Sequence, residues 1–285
     1  MIVALDLDRT LIHATRDVPA GGRPDRPVEE LAGAVVSVMT AAAVELYAAL
    51  CERATVVPAT TRSVEQLRRV RLPVPARWAV AANGGVVLAG GTPDAAWTAE
   101  RRHAVDAGAL AHAERLLRDA SESTGGAIAR VTPRDGLYLS AVLTGAVPAE
   151  VLSDVHARLR GAGWQLVGTG RKLYALPPGL DKAVAVSWIA RRCDEPVGVA
   201  AGDSVLDAGM LRLAALAICP RGAEVLQSLD GLPVWVTPRT GPEAGEDVLA
   251  RTLEAIAASP DDRAPRRGPV PILAGQPRPQ GGSSR

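Results

Sequence analysis

The chain has 285 residues, 47% of them hydrophobic and 22% charged, which is the balance of a globular protein able to bury a core. Its 32 basic and 31 acidic residues leave a net charge of +1, so bulk charge favours neither a nucleic-acid partner nor an anionic membrane. Three scattered cysteines form no C-x-x-C pair, which favours reduced thiols over disulfides or a zinc site. Acidic residues near the N-terminus argue against a secretory signal, and no apolar stretch reaches the ~20 residues of a spanning helix. We therefore expect a cytoplasmic protein without a membrane partner.

The first stretch, Ile2–Leu5, is an apolar run that predicts a buried strand, and Asp6 and Asp8 follow it directly. Alternate residues of a strand share a face, so the two carboxylates can lie together at the C-terminal edge of a sheet, where open α/β sheets bind ligands. Adjacent carboxylates repel unless a cation compensates, and Mg²⁺ is the natural one. Taken alone, this D-x-D is better explained as the start of a turn.

The next residues predict an α/β pattern. Ile12–Glu30 is rich in Gly, Pro, Arg and Asp and predicts an exposed loop or flap. Thr40 is expected to cap a helix over Ala41–Arg53, and Ser63 a helix through Val70. The predicted strands in this part of the chain are Val35–Met39, Ala54–Pro58 and Trp78–Ala82.

The pattern changes between residues 86 and 175, where two hairpins and two helices predict an α+β insertion. The α/β pattern then resumes with a helix over Lys182–Arg192 and a strand over Val197–Ala201. From Ser259 the chain is rich in Pro, Gly, Arg and Ser, which predicts disorder because little apolar area is available. The predicted units are 1–85 and 176–258 for the core, 86–175 for the insertion and 259–285 for the tail.

Polar residues follow other predicted strands as well. Asp203 and Asp207 come after Val197–Ala201 and lie four residues apart, so they can face one point if a helix begins between them. Thr60 follows the second strand, and Lys182 stands where the insertion returns to the core. Each of these residues, taken singly, is explained by helix capping or by a solvated lysine.

Taken together and in this order, the stretches resemble the four motifs of the haloacid-dehalogenase (HAD) superfamily of phosphohydrolases over about residues 1–258. The resemblance implies an α/β core with a Rossmann-like parallel sheet and an inserted α+β cap. The insertion resembles the C2-type cap of the Cof and sucrose-phosphatase-like branch, although Thr61 replaces its usual Gly and Leu206 a frequent Asn. Pro58–Arg69 with Asn83–Leu88 is similar to HAD proteins encoded beside tellurite-resistance-type stress genes, which implies no known substrate.

The resemblance implies an aspartyl-phosphate mechanism. Asp6 would be the nucleophile, Asp8 the general acid and base, and Thr60 with Lys182 would stabilise the phosphoryl group. Mg²⁺ is the implied cofactor, with ligands from Asp6, Asp8 (through its backbone carbonyl), Asp203 and Asp207. Whether Asp207 binds the metal or orients Lys182 stays open at this stage.

The predicted function is therefore hydrolysis of a small phosphorylated metabolite, with phosphosugars among the candidates. Arg62 and Asn83 are the predicted substrate contacts. A phosphomutase would use the same groups, and a ligand-binding regulatory protein with little turnover is kept open by Leu206. The sequence gives no oligomeric state.

Overall fold

The computed structural model describes residues 1–18, 25–101 and 106–258. The predicted disordered tail, 259–285, lies outside the described residues. The strands, in chain order, are β1 (Ile2–Leu5), β2 (His13–Ala14), β3 (Asp25–Leu31), β4 (Ala34–Thr40), β5 (Thr55–Pro58), β6 (Trp78–Ala81), β7 (Val86–Ala89), β8 (Thr92–Pro93), β9 (Ile128–Arg134), β10 (Tyr138–Leu143), β11 (Gln165–Thr169), β12 (Lys172–Leu176), β13 (Val197–Ala201), β14 (Leu216–Cys219) and β15 (Val234–Val236). The helices are α1 (Ala41–Arg53), α2 (Val64–Arg68), α3 (Ala95–Arg101), α4 (Ala107–Ser123), α5 (Ala149–Gly161), α6 (Lys182–Cys193), α7 (Ala208–Leu213) and α8 (Pro242–Ala258).

A parallel five-stranded sheet forms the core, in the order β15-β14-β13-β1-β5. β1 lies between β13 and β5 and is fully buried, which explains why its sequence is continuously apolar. One face of the sheet packs on α1 and α8 through residues such as Tyr47 and Leu249. The other face packs on α6 and α7 through residues such as Ile189 and Met210. This arrangement confirms the predicted α/β fold.

The predicted helix starts are confirmed by their caps. The Thr40 hydroxyl accepts a hydrogen bond from the Ala43 amide, 3.0 Å away, where α1 begins. Ser63 and Gln66 form a reciprocal capping box at the start of α2. α2 is shorter than predicted, because it ends at Arg68 and not at Val70.

Of the two alternatives predicted for 12–30, an exposed loop or a flap, the described residues form the flap. β3 pairs antiparallel with β4, which also pairs with β2, to form a three-stranded flap. One acidic residue of β3 is buried, since Glu29 is only 4% exposed. Its carboxylate accepts from the Ser37 hydroxyl at 2.8 Å and pairs with the Arg62 guanidinium at 2.8 Å. The partners that allow this burial come from elsewhere in the chain.

The segment after β8 contains an α+β unit. Residues 107–176, called the cap below, form an antiparallel sheet in the order β11-β12-β10-β9, with α4 and α5 packed on it. The predicted boundary at 85/86 falls inside a hairpin, because β6 and β7 are hydrogen-bonded to each other. Gly84 in that hairpin has φ +95°, and a Cβ there would lie 2.2 Å from the Asp181 carbonyl oxygen, so only glycine fits. Among the described helices, none is both long and apolar enough to cross a membrane.

Candidate active site

The ends of β1 and β13 bring three acidic residues to one lysine. Asp6 follows β1, Asp203 follows β13, and Lys182 is the first residue of α6. The Lys182 ammonium donates to Asp6 Oδ1 and to Asp207 Oδ1, each at 2.6 Å. Lys182 is 1% exposed and Asp207 is fully buried, so this is a desolvated ion triad. Sequence reasoning selected all four residues, and the structure brings them together.

Asp207 is held on both of its oxygens. Oδ1 accepts from Lys182, and Oδ2 accepts from the backbone amides of Asp203, at 3.1 Å, and Ser204, at 2.9 Å. A Cβ at Gly202 would lie 2.5 Å from the Asp207 side chain, so glycine is required for this close approach. Since both oxygens already have donors, the geometry favours the role in which Asp207 orients Lys182.

Burial dominates the electrostatics of this cluster. Burial alone would lower the pKa of Lys182, but Asp207 and Asp6 together raise it above its ordinary value, so the ammonium stays charged. Burial raises the pKa of Asp6 well above its usual range; Lys182 opposes this, and Asp207, Asp203 and Asp8 add to it. Burial likewise raises the pKa of Asp203 to about 7, against the effect of Arg9. The cluster holds three buried carboxylates, those of Asp6, Asp203 and Asp207, against two cations, Lys182 and Arg9.

The donor set suits a hard divalent cation. One oxygen from each of Asp6, Asp203 and Asp207 lies within 4.8 Å of the others, and all three residues are buried. Oxygen atoms such as those of carboxylates are the ligands that Mg²⁺ prefers. A bound Mg²⁺ would also offset the negative charge of the three carboxylates. Asp6 and Asp203 are the better candidates for direct ligands, because the oxygens of Asp207 are already engaged.

Asp8 lies at the rim of this cluster and is paired with Arg62. The Arg62 Nε and Nη2 atoms donate to the two Asp8 oxygens, both at 2.8 Å, while Nη1 pairs with Glu29. Although burial alone would raise it, Arg62 holds the pKa of Asp8 below its ordinary value, with help from Lys172 and Lys182. The Arg62 guanidinium is thus paired with two carboxylates, and its predicted contact with substrate stays a prediction.

Asn83 and Thr60 are engaged with the main chain. The Asn83 side-chain amide donates to the Leu180 carbonyl at 2.9 Å, which ties the β6–β7 turn to the loop before Lys182. Asn83 thus fixes the loop that precedes Lys182. Its predicted contact with substrate stays a prediction. The Thr60 hydroxyl accepts from the Arg62 amide at 3.1 Å, so its predicted phosphate contact also stays a prediction.

Arg9 is a site residue that sequence reasoning did not single out. It adopts a left-handed backbone, with φ 63°, and its guanidinium pairs with Asp203 at 2.8 Å. It also reaches the cap, where Nη2 lies 3.4 Å from the Thr169 hydroxyl. Its place inside the D-L-D-R-T stretch was the available signal.

A cavity of about 310 Å³ lies between the core and the cap, over Asp6, Lys182 and Asp203. Its volume is at the small end of the range for ligand pockets. Core residues supply its acidic floor, and the β11–β12 turn with its flanking residues supplies the wall from the cap. Its lining includes Asp6, Asp8, Thr61, Lys172, Tyr174, Lys182 and Asp203. The cap residues among them were missed from the sequence. Lys172 had one available signal, since it and Lys182 are the only lysines in the chain.

Solved structures of phosphatases share this fold. The sucrose-phosphatase of Synechocystis sp. PCC6803, solved with sucrose and phosphate, is 16% identical with a TM-score of 0.63 over 90% of this chain and 98% of that one. A HAD-superfamily phosphatase of Bacteroides thetaiotaomicron is 16% identical with a TM-score of 0.60, over 90% and 94%. A trehalose-6-phosphate phosphatase related protein is 19% identical with a TM-score of 0.55, over 90% and 98%. The resemblance to the HAD superfamily is thereby confirmed at the level of the fold.

No protein-family model matches the chain. A curated relative, the phosphoglycolate phosphatase of Pyrobaculum islandicum, is 41% identical over 67 residues. That match covers 23% of this chain and 29% of the relative's length. The similarity to proteins encoded beside tellurite-resistance-type genes stays a prediction.

Proposed function

We propose that the protein is a Mg²⁺-dependent phosphomonoester hydrolase that acts through an aspartyl-phosphate on Asp6. The observation that carries the proposal is the buried contact of Lys182 with Asp6, at 2.6 Å, beside Asp203 and below a cavity that Asp8 also lines. This set combines a nucleophile, a fixed cation, a metal-binding carboxylate and a proton carrier. Together these are the groups that phosphoryl transfer to a carboxylate needs.

In the first step, an Asp6 carboxylate oxygen would attack phosphorus as the bond from phosphorus to the leaving oxygen breaks. Lys182 would fix the orientation of Asp6 and offset charge near the transferring group, because its ammonium is held between Asp6 and Asp207. In the second step, water would attack the phosphoryl group on Asp6, releasing phosphate and restoring the carboxylate. Thr60 is the proposed additional contact to a phosphoryl oxygen.

Asp8 would give a proton to the leaving oxygen and then take one from the attacking water. Its pairing with Arg62 favours the ionised form, which is the form that takes the proton from water. The first step needs the protonated form, so it would run most easily with leaving groups that need little protonation, such as aryl phosphates.

Asp6 and Asp203 would hold the metal ion directly, while Asp207 would keep Lys182 in place. When bound, Mg²⁺ would neutralise charge on the phosphoryl oxygens. The cluster of three buried carboxylates against two cations, Lys182 and Arg9, supports this assignment.

The substrate is proposed to be a small phosphorylated metabolite. The similar proteins are named as a sucrose-phosphatase, a phosphoglycolate phosphatase and a trehalose-6-phosphate phosphatase related protein. These names support this class of substrate. The modest cavity volume of about 310 Å³ agrees with it.

The test compares Asp6→Asn with Asp8→Asn in hydrolysis of p-nitrophenyl phosphate with Mg²⁺. Both changes remove one charge and keep the side-chain volume, so differences report chemistry. Asp6→Asn is expected to abolish turnover and to form no adduct. Asp8→Asn is expected to lower turnover by about 10²–10⁴-fold. It should also accumulate a phosphoryl adduct on the Met1–Arg9 peptide, detected by mass spectrometry after acid quench.

An adduct on the Asp6→Asn protein, or full activity of Asp8→Asn, would contradict the assigned roles. A binding protein with little turnover predicts no adduct in either variant. The wild-type protein without Mg²⁺ is the control for metal dependence.

A further inference from the structure

A second, smaller cavity adjoins the first beside Asp8. It measures about 160 Å³ and shares Asp8, Thr61, Lys172 and Tyr174 with the larger one. We call it the side cavity; Arg134 and Ser140 from the cap sheet also line it. If Asp8 exchanges a proton with the leaving oxygen, the leaving group lies next to Asp8. Because Asp8 lines the side cavity, the leaving group would have access to it in the proposed reaction.

The charged groups of the side cavity do not balance. Four cations line it, namely Arg62, Arg69, Arg134 and Lys172, against the two carboxylates of Asp8 and Glu29. Both carboxylates are already paired: Asp8 with Arg62, and Glu29 with Arg62 and Arg69.

Arg134 and Lys172 make no ion pair with any described carboxylate. The Arg134 Nε atom donates only to the neutral Ser140 hydroxyl, 2.7 Å away.

Lys172 is unusual for this chain. Every other basic residue among the 32 is arginine, except the buried Lys182. Lys172 begins β12, where its backbone is paired with Val142 on one side and Thr169 on the other, so the base of its side chain is fixed. Its side chain lines both cavities together with Asp8, so its charge lies beside the place where the leaving group would lie.

We infer that the leaving group of the substrate carries a second anionic group, a carboxylate or a second phosphate, which binds Lys172 and Arg134 in the side cavity. This inference rests on the proposed phosphatase function. A carboxylate or phosphate would form charge-assisted hydrogen bonds with both cations, whereas a neutral sugar would leave them without a counter-charge. The substrate class thereby narrows to phosphorylated acids and bisphosphates.

The first experiment compares matched substrates with Mg²⁺. 3-Phosphoglycerate and glycerol 3-phosphate differ only in a carboxylate against a hydroxymethyl group; fructose 1,6-bisphosphate and fructose 6-phosphate differ in the second phosphate. We expect kcat/KM to favour the more anionic member of at least one pair by tenfold or more, since a charge-assisted hydrogen bond typically contributes that much. Which pair shows the preference identifies the anion.

The variants are Lys172→Gln and Arg134→Gln, each expected to bring the ratio of the two kcat/KM values towards one. The ratio cancels any common effect on Asp8, because both substrates experience it. Arg158→Gln, an exposed arginine on α5, is the matched control and should leave the ratio unchanged. Equal kcat/KM values within both pairs, or a preference that survives in both variants, would overturn the inference.

The second experiment keeps both side chains and does not depend on turnover. In the Asp6→Asn protein, acetylation of Lys172 by acetic anhydride is followed by mass spectrometry, with the N-terminal amine, which pairs with Glu195, as internal reference. We expect 3-phosphoglycerate or fructose 1,6-bisphosphate to slow Lys172 acetylation at least threefold more than its less anionic partner. Equal protection within both pairs would contradict the inference. Failure of p-nitrophenyl phosphate hydrolysis by the wild-type protein would instead contradict the proposed function.

Discussion

Replacing Lys182 by methionine should destabilise the protein strongly. Methionine keeps the length of the side chain but removes the ammonium that lies 2.6 Å from both Asp6 and Asp207. Asp207 is fully buried and does not line the cavity, so water cannot replace the cation that it loses. Breaking a buried ion pair in this way typically costs about 3–5 kcal/mol. For a chain of this size each kcal/mol lowers Tm by about 2–4 °C, which gives an expected fall of roughly 6–20 °C.

Arg118→Met is the matched control. Arg118 also lies 2.6 Å from a carboxylate, that of Glu114, but this pair is on an exposed helix surface. Such surface pairs contribute about 0–1 kcal/mol, so Tm should change little. The contrast tests whether burial, and not distance, determines the effect.

A double-mutant cycle with Asp207→Asn separates charge from packing. Asparagine keeps an oxygen to accept from the amides of Asp203 and Ser204 and removes one buried charge. The double variant should therefore be more stable than the sum of the single losses predicts, by about 0.5–3 kcal/mol. Tm would be measured by scanning calorimetry without divalent ions. A loss below 1 kcal/mol for Lys182→Met, or strict additivity in the cycle, would refute this account of the triad.

Three further predictions follow from other residues. Asp203→Ala should weaken Mg²⁺ binding in titration calorimetry and lower turnover, with partial rescue at high Mg²⁺; unchanged affinity would remove Asp203 from the metal site. Asn83→Ala should cost about 1–3 kcal/mol, because the Leu180 carbonyl loses its buried donor; a raised KM without loss of stability would restore the substrate-contact assignment. Burial lowers the pKa of His13 from 6.5 to about 4. Between these pH values His13 is protonated in the unfolded chain and neutral in the folded protein. Stability should then fall as the pH drops from 6.5 to 4, by roughly 3 kcal/mol at most, and His13→Gln should flatten this decline in urea unfolding; parallel declines would exclude His13 as the cause.

The strand ends of the core were predictable because their signal is local. Ile2–Leu5 and Val197–Ala201 are short apolar runs followed at once by carboxylates, and both are strands of the parallel sheet. The caps at Thr40 and Ser63 also depend on residues three positions apart. Patterns that are satisfied within a few residues carry over directly into structure.

The burial of Glu29 in the flap and the partners of Arg62 were not predictable for the opposite reason. Glu29 is buried only because Arg62 and Arg69 neutralise it from another part of the chain. The acidic, proline-containing sequence of this segment does not by itself predict a buried glutamate, since the arginines that neutralise Glu29 lie elsewhere in the chain. The same long-range pairing makes Arg62 the partner of Asp8, and its predicted contact with substrate stays a prediction.

The position of β1 in the sheet has a consequence for synthesis. Ile2 pairs with Thr55 on one side but with Val197 on the other. During translation, one edge of this fully apolar strand can be covered early, while the other waits for residues 197–201 to emerge. At typical elongation rates of about 5–20 residues per second, the wait after β5 lasts roughly 7–30 s. The cap, built from local antiparallel pairs, can fold in that interval. An uncovered apolar edge is a template for pairing with other chains, so the yield of folded protein should depend on how well nascent β1 is shielded by chaperones.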